Sequence, residues 1–448
     1  MLKILLSRDN VPDRTPSYHP LCSNFLINYP IVVPLRQDNF SSTPAIKPQN
    51  HCICGLPQEI KSKLACSKQS YSARNTVAHF PLLPTITTAK TLIIGVDAPY
   101  NRVSNMESYF AEFRKLLETN GTIYQHELYI KMRTVDSSYF FTKGKLEEIA
   151  AFCKEHEIEE VVVSDALTSQ QERNLEDMLQ CKVFDRTYLI LQIFEKSAHS
   201  AEGKIQVSIA MLKHQKTRLA GKGIFLGQQK GSIGVRGGFG ETLKEKETRH
   251  IDMTILKFKR DLERMLTARE SQRKQRLTNR VPHACLIGYT NVGKSTILNA
   301  LTKSDVLAEN KLFATLDTTT RELYVNSTKK GLLSDTVGFI QQLPHSLIDA
   351  FKSTLSELSH ADLLLHVVDI SEINWQDQIA VVQKVLTELK VQDKPMLYVF
   401  NKADAVEITD DLEFLLKKYQ PYVLVSAKSK KGLEPLLNYL QAWNPHKA

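Results

Sequence analysis

Gly288-Tyr289-Thr290-Asn291-Val292-Gly293-Lys294-Ser295 decides how this chain is read. The stretch is a complete G-x-x-x-x-G-K-S. It follows His283–Ile287, a short apolar run after Pro282 that reads as a strand, and it opens into a helical segment carrying Leu298 and Leu301. Strand, glycine-rich loop and helix are the context in which this motif cradles phosphate. Its glycines let backbone N–H groups approach phosphate oxygens with no Cβ in the way, and the helix N-terminus adds positive potential. Lys294 is expected to place a charge on the β- and γ-phosphates, and Ser295 to offer its hydroxyl to Mg²⁺, with Thr296 also at the nucleotide.

Downstream segments choose among nucleotides. Leu332-Leu333-Ser334 runs into Asp335-Thr336-Val337-Gly338. An acid at a strand end suits a role behind the direct Mg²⁺ ligands, and Gly338 can present its N–H to the γ-phosphate; no catalytic base is assigned. Ala361–Asp369 and Met396–Phe400 read as further strands, the second ending at Asn401-Lys402-Ala403-Asp404. In N-K-x-D the Asp404 carboxylate accepts two N–H donors from guanine, a pattern adenine lacks, so the wrong base leaves buried polar groups unpaired. Val423–Val425 then leads to Ser426-Ala427-Lys428, whose backbone can meet the guanine oxygen. N-K-x-D alone would read as a turn. In this order the set separates a GTPase from an adenylate-type kinase or an ATPase.

The 448 residues suffice for two or three domains, with 42% apolar residues as in ordinary globular proteins. No stretch approaches the uninterrupted apolar length of a transmembrane helix. Seven cysteines without framework spacing favour reduced thiols. Cys52 and Cys54 beside His51 resemble half of a zinc site, but no second ligand pair of suitable spacing follows, so no metal is assigned there. The net charge of +9 points weakly to a polyanionic partner.

Residues 1–88 read as an extension with little fixed structure: rich in Pro, Ser and Asn, with only Asp9, Asp13, Asp38 and Glu59 as acids. A basic tail, an organellar transit segment and an over-extended start are the alternatives. Strands alternating with helices over 89–186 predict a small α/β domain with a largely parallel sheet, Ser104 capping its first helix. Residues 187–280 predict helices at 187–199 and 202–217, a glycine-rich loop from Gly221 to Gly240 with Lys222, Lys230 and Arg236, and a long helix at 242–276. In that helix Ile251, Ile255, Phe258, Leu262 and Met265 form one apolar stripe, as in a helical hairpin. Lys257, Lys259, Arg260, Arg264, Arg269, Arg273, Lys274 and Arg276 make the remainder basic, a solvated face or a nucleic-acid contact. Residues 281–448 are the P-loop GTPase domain.

The ordered motifs are those of translation-factor-like GTPases, and the flanking segments narrow the choice. Phe313-Ala314-Thr315-Leu316-Asp317, Asp335–Ile340, Leu343-Pro344-His345, Arg173–Leu175, Asp185-Arg186-Thr187, Glu202–Lys204 with Gln206-Val207, and Gly240–Thr242 closely resemble the HflX family over roughly 91–440. The resemblance implies an α/β fold in which an N-terminal α/β domain with a long helical hairpin precedes the GTPase domain. It places residues 313–317 at the nucleotide and Thr319, with Thr318 and Thr320 as rivals, beside Ser295 and Asp335 at Mg²⁺. It implies hydrolysis of GTP to GDP and phosphate, binding to the large, 50S-type ribosomal subunit and its rRNA, and a part in ribosome splitting, rescue or recycling. The alternative is an RNA- or ribosome-binding switch of negligible intrinsic turnover acting in ribosome assembly. A monomer in the cytoplasm is expected, in part membrane-associated, with an organellar matrix as the alternative if 1–88 is a transit segment.

Two positions depart from the family pattern: Thr318 replaces the proline usual after Asp317, and Gly234–Thr242 is one residue longer and lacks a proline. Phe339 stands where Ras-like GTPases carry a water-orienting glutamine. An apolar side chain cannot orient water, so slow intrinsic turnover is expected.

Overall fold

Thr91–Val96 and Leu363–Asp369 are buried without a break, as the central strands of parallel sheets covered on both faces must be. They form the middles of two sheets in the computed structural model, which describes residues 3–4, 89–100, 105–221, 243–278, 281–302, 311–344, 347, 357–429 and 431–445. Of residues 1–88 only Lys3–Ile4 are described; the remainder of that expected extension, His51, Cys52 and Cys54 included, lies outside.

The first sheet contains β1 (Lys3–Ile4), β2 (Thr91–Asp97), β3 (His126–Lys131), β4 (Glu160–Val163) and β5 (Lys182–Phe184) in the order β1-β3-β2-β4-β5. All pairings are parallel except β1 with β3. Between them run α1 (Met106–Asn120), α2 (Lys143–Glu155) and α3 (Ser169–Leu179). Asn105 caps α1, accepting from the N–H groups of Glu107 and Ser108. The expected cap, Ser104, lies outside the described residues. Thr168 and Gln171 make a reciprocal capping box at α3. One face of the sheet packs Leu92, Ile94 and Val161 against Leu146 and Ile149 of α2 and Leu175 of α3.

The other face does not end in solvent. Ile93 and Val162 pack under α1 and under α4 (Arg186–Ser197), and the same apolar cluster continues into the second sheet. Phe194 of α4 meets Phe313 edge to face, with centroids 4.6 Å apart. The two α/β bodies therefore share one core.

The hairpin is α5 (Ala201–Gly221) with α6 (Leu243–Thr278). Ion pairs Glu202–Arg269 and Lys216–Asp252 show the helices run antiparallel. Ile209, Leu212 and Leu219 bury Ile251 and Ile255, with Phe258 and Leu262 packed against them. Lys257, Lys259, Arg260 and Arg264 are exposed on the opposite side. The glycine-rich loop with Lys222, Lys230 and Arg236, and the side chains of Arg273, Lys274 and Arg276, lie outside the described residues.

The second sheet contains β6 (His283–Gly288), β7 (Thr319–Val325), β8 (Thr328–Asp335), β9 (Leu363–Asp369), β10 (Met396–Asn401) and β11 (Tyr422–Leu424), ordered β11-β10-β9-β6-β8-β7. Only the β7–β8 hairpin, which the sequence did not announce, is antiparallel. Among the described residues, four α-helices accompany the sheet: α7 (Lys294–Leu301), α8 (Trp375–Glu388), α9 (Asp410–Leu416) and α10 (Glu434–Ala442). From β6 the order departs in both directions, to β8 and to β9, so the carboxyl ends of these strands open a crevice. Gly288, Asp335, Asp369 and Asn401 are the last residues of β6, β8, β9 and β10.

A polar knot lies in the shared core. Arg186, 2% exposed, pairs with Glu112 and stacks on the Tyr109 ring, its guanidinium carbon 4.8 Å from the centroid. The Glu112 carboxylate also accepts from the Tyr289 hydroxyl, and the Tyr289 oxygen accepts from the Gln341 N–H at 2.6 Å. Arg186 donates to the Gln341 carbonyl at 3.2 Å. Burial pushes the Glu112 carboxyl up, opposed by the Arg186 charge and by the hydrogen bonds from Tyr289 and Arg186. Removing one member of a buried pair strands the other, at a cost of about 3–5 kcal/mol, whereas replacing both is much cheaper. Arg186→Ala is therefore expected to lower the unfolding free energy by about 3–5 kcal/mol in urea titration, and Arg186→Met with Glu112→Gln to recover part of it. A single variant within about 1 kcal/mol of the parent would contradict this account.

Candidate nucleotide site

β6 delivers the chain to Gly288 and α7 takes it up at Lys294; between them Asn291 and Gly293 turn the backbone at φ 61 and 95. Gly293 also allows a close approach: a Cβ there would lie 2.3 Å from Asn401 Nδ2. The Lys294 ammonium hooks back over the loop, donating to the Tyr289 carbonyl at 2.7 Å and the Gly288 carbonyl at 3.3 Å. Burial pushes its pKa down to about 8, with Asp335 opposing.

Ser295 begins the oxygen set. Its hydroxyl donates to Asp335 Oδ2 at 2.7 Å and lies 2.7 Å from the Thr315 hydroxyl. Burial pushes the Asp335 carboxyl up, with Lys294 and the Ser295 hydrogen bond opposing. Asp335 Oδ1 and Thr290 Oγ1 are buried with no hydrogen-bond partner within the protein. A buried carboxylate oxygen left unsatisfied beside two hydroxyls is a fitting donor set for a hard divalent cation such as Mg²⁺.

The segment after β8 closes on this loop. The Phe339 N–H donates to the Gly288 carbonyl at 3.2 Å, and the Thr290 N–H to the Phe339 carbonyl at 2.8 Å. Gly338 is thereby laid against the loop so closely that a Cβ would stand 2.7 Å from Thr290 and 2.9 Å from Lys294 Nζ. The Phe339 ring turns into the core, 2% exposed.

On the other flank Asn401 holds two loops together. Its amide donates to the Val292 carbonyl at 2.8 Å, and its oxygen accepts from the Ala427 N–H at 3.0 Å. Asp404 is exposed and accepts from the Ser426 hydroxyl at 2.6 Å, which holds its carboxyl below the usual range. The Lys402 ammonium pairs with Asp369 at 2.5 Å, and Lys428 lies 3.8 Å from Asp404. These two loops border the crevice on that flank.

The motif residues thus converge, with differences in detail. Thr290, Asn291, Gly293, Lys294, Ser295, Thr296, Phe313, Ala314, Thr315 and Gly338 line one cleft. Leu316 and Val337 point into the core, and Thr336 spends its hydroxyl on the Leu286 carbonyl. The side chains of Tyr289 and Val292 are buried. The hydroxyl beside Ser295 is that of Thr315 rather than Thr319, because Thr319 is the first residue of β7, paired with Asp335 in the ladder. Asp317 turns away to the start of α5. His345 lies outside the described residues. Sequence reasoning missed Lys311, which lines the cleft. It also gave no role to Glu112 or Arg186, though Arg186 stood in a quoted family segment.

A desolvated lysine makes nucleotide binding depend on pH in a definite direction. Below about 8 Lys294 is charged and ready for phosphate; above it the free protein must take up a proton to bind, so affinity falls as pH rises. Calorimetric titration at pH 9 in buffers of different ionisation enthalpy is expected to show uptake approaching one proton per nucleotide, and almost none at pH 7. Equal uptake at both values would count against a depressed Lys294.

Three family models match successive stretches of the chain. Residues 107–195 match the family "GTP-binding GTPase N-terminal", 197–276 "GTP-binding GTPase Middle Region" and 283–402 "50S ribosome-binding GTPase". GTPase HflX of Caldanaerobacter subterraneus subsp. tengcongensis is 43% identical over 335 residues, covering 75% of this chain and 77% of its own. GTPase HflX of Escherichia coli is 42% identical over 296 residues, covering 66% of this chain and 69% of its own. Among solved structures, a GTP-binding protein of Sulfolobus solfataricus in complex with GDP aligns over 79% of this chain and 97% of that one, at 22% identity and a TM-score of 0.41. The identities across both α/β bodies and the hairpin, together with the crevice just described, make this chain a member of the HflX family of GTPases.

Proposed function

We propose that this GTPase is a slow timer that works on the large ribosomal subunit, splitting, rescuing or recycling ribosomes, with its hydrolysis rate set by that partner. The observation that supports this most directly is Phe339. Its ring is in the core and its backbone is bridged to the phosphate loop. Among the described residues, those lining the cleft include no carboxylate or glutamine that could orient an attacking water. Binding and charge stabilisation are supplied by Lys294, the loop amides and Gly338; the positioning of water is left to a rearranged switch or to a group from the partner.

Ser295 and Thr315, with Asp335 behind them, are the oxygens to hold Mg²⁺, Thr319 being the replacement for Thr315 when the switch rearranges. Bound there, the metal would supply charge neutralisation at the phosphates. Guanine selection falls to Asp404, with Asn401 and Lys402 supporting it and the Ser426–Lys428 loop over the base. No helix among the described residues is long and apolar enough to cross a membrane. A monomer acting in the cytoplasm is the simplest form of this reading.

Docking falls to the hairpin. α6 buries one stripe on α5 and exposes Lys257, Lys259, Arg260 and Arg264. Ribosomal RNA presents dense phosphates, so such contacts release counterions and weaken steeply with salt. This leaves the switch segments free to respond to nucleotide. The family matched by residues 283–402 is described as a 50S ribosome-binding GTPase, which agrees in kind.

Two outcomes are expected. GTP turnover by the isolated protein is slow, and purified large subunits raise it by about tenfold or more, within the range a partner-supplied group can give; a fast basal rate indifferent to subunits would overturn the reading. Co-sedimentation of the full chain with large subunits weakens between low and high salt. Lys259→Glu, Arg260→Glu and Arg264→Glu together reduce it about tenfold at low salt and flatten the salt slope. An unaltered triple variant would remove the basic helix as the docking element.

A further inference from the structure

Asp317 lies between the Thr315 that meets Ser295 and the start of β7, yet its carboxylate belongs to another part of the fold. Oδ2 accepts from the N–H groups of His199 at 3.0 Å and Ser200 at 2.6 Å, and Oδ1 accepts from the Ser200 hydroxyl. The Ser200 oxygen in turn accepts from the Gly203 N–H at 2.9 Å. Ser200 is thus the local cap of α5, and Asp317 completes that cap from a distant segment, where a carboxylate also favours the helix dipole. A Cβ on Gly203 would lie 2.1 Å from Asp317 Oδ1, so glycine is what lets the carboxylate in.

The next residue is held by the second helix. Arg269 of α6 pairs with Glu202 in the first turn of α5 at 2.9 Å and reaches the Thr318 hydroxyl at 3.4 Å. Both helices of the hairpin therefore grip 317–318, while Thr315 sits 2.7 Å from Ser295 and Thr319 is paired with Asp335. Replacing Thr315 beside Ser295 by Thr318, Thr319 or Thr320 puts a residue one to three places beyond Asp317 where one two places before it now stands, a shift along the chain of at most roughly 10–17 Å. Asp317 cannot make that movement and keep its place on α5.

We propose that Asp317 is a positioning residue that latches the switch segment to the N-terminus of α5 with Thr315 on Ser295, and that GTP, by drawing a later threonine to that place, releases the latch and so passes the nucleotide state to the basic hairpin. The inference rests on the nucleotide-site reading above. Segments that the γ-phosphate orders and its loss releases are a general form of switch, and here the released element is a helix cap shared with the docking hairpin.

The test uses the full chain. Hydrogen exchange of the His199–Gly203 amides is compared with GDP and with a non-hydrolysable GTP analogue, each with Mg²⁺. Exchange about fivefold faster with the analogue is expected, the weight of one helix cap. Asp317→Ala removes the acceptor and Gly203→Ala fills its seat, two unrelated changes that both open the latch. Each is expected to raise the affinity for the analogue relative to GDP about fivefold and to make exchange fast with either nucleotide. Asp317→Asn, which keeps one acceptor oxygen, falls between. Identical exchange in the two states of the parent overturns the proposal, as does an unchanged affinity ratio in Asp317→Ala and Gly203→Ala. If Asp317→Ala fails to melt cooperatively, Gly203→Ala and the parent's exchange decide. A parent that binds neither nucleotide overturns the site reading and this inference with it; one that binds both without the difference in exchange overturns this inference alone.

Discussion

The buried contact of Arg186, Glu112 and the Tyr289 hydroxyl is the constraint from which much of the molecule follows. It puts a charged pair in the middle of an apolar core, where charges are tolerated only if hydrogen bonds surround them. Those bonds join α1 and α4 of the first α/β body to the phosphate loop through Tyr289 and to the segment after Gly338 through Gln341, while Arg186 Nε and Nη1 find no hydrogen-bond partner within the protein. Each of these segments is held by the need to satisfy the others. The first body is therefore a structural part of the nucleotide site rather than an appended module.

The phosphate loop shows the same economy. Lys294 is buried and depressed toward neutrality, held meanwhile by two loop carbonyls. Thr290 and Asp335 keep polar atoms without partners within the protein. Such groups are costly to bury unless a partner satisfies them, and an anion and a hard cation have the chemistry to do so. Phe339 adds a different constraint. By bridging its backbone to the loop it sets Gly338 beside the phosphates, and by burying its ring it withholds the side chain that could have oriented water.

The hairpin meets the switch segment at the far end from the Arg186 knot. The N-terminal end of α5 and Arg269 of α6 hold residues 317 and 318, and the exposed basic residues lie further along the same α6. The helix pair cannot slide along its apolar stripe without exposing Ile251 and Ile255.

What the residues alone determined is what short-range chemistry dictates. G-x-x-x-x-G-K-S, D-x-x-G and N-K-x-D are each contained within a few residues, so the loops that the fold gathers around one cleft were legible before any contact was known. The α/β alternation and the apolar stripe of α6 were legible for the same reason, since burial period is a local property. The β7–β8 hairpin, the Asn105 cap, the seat of Thr315 beside Ser295, the turning away of Asp317 and the clamp of Glu112 on Tyr289 were decided only by the tertiary structure. Each pairs groups far apart in the chain, and a carboxylate at 112 or 317 carries no mark of which distant donor it will meet. That choice is made when the two bodies bury a common core, and the polar groups caught inside must then find partners in each other.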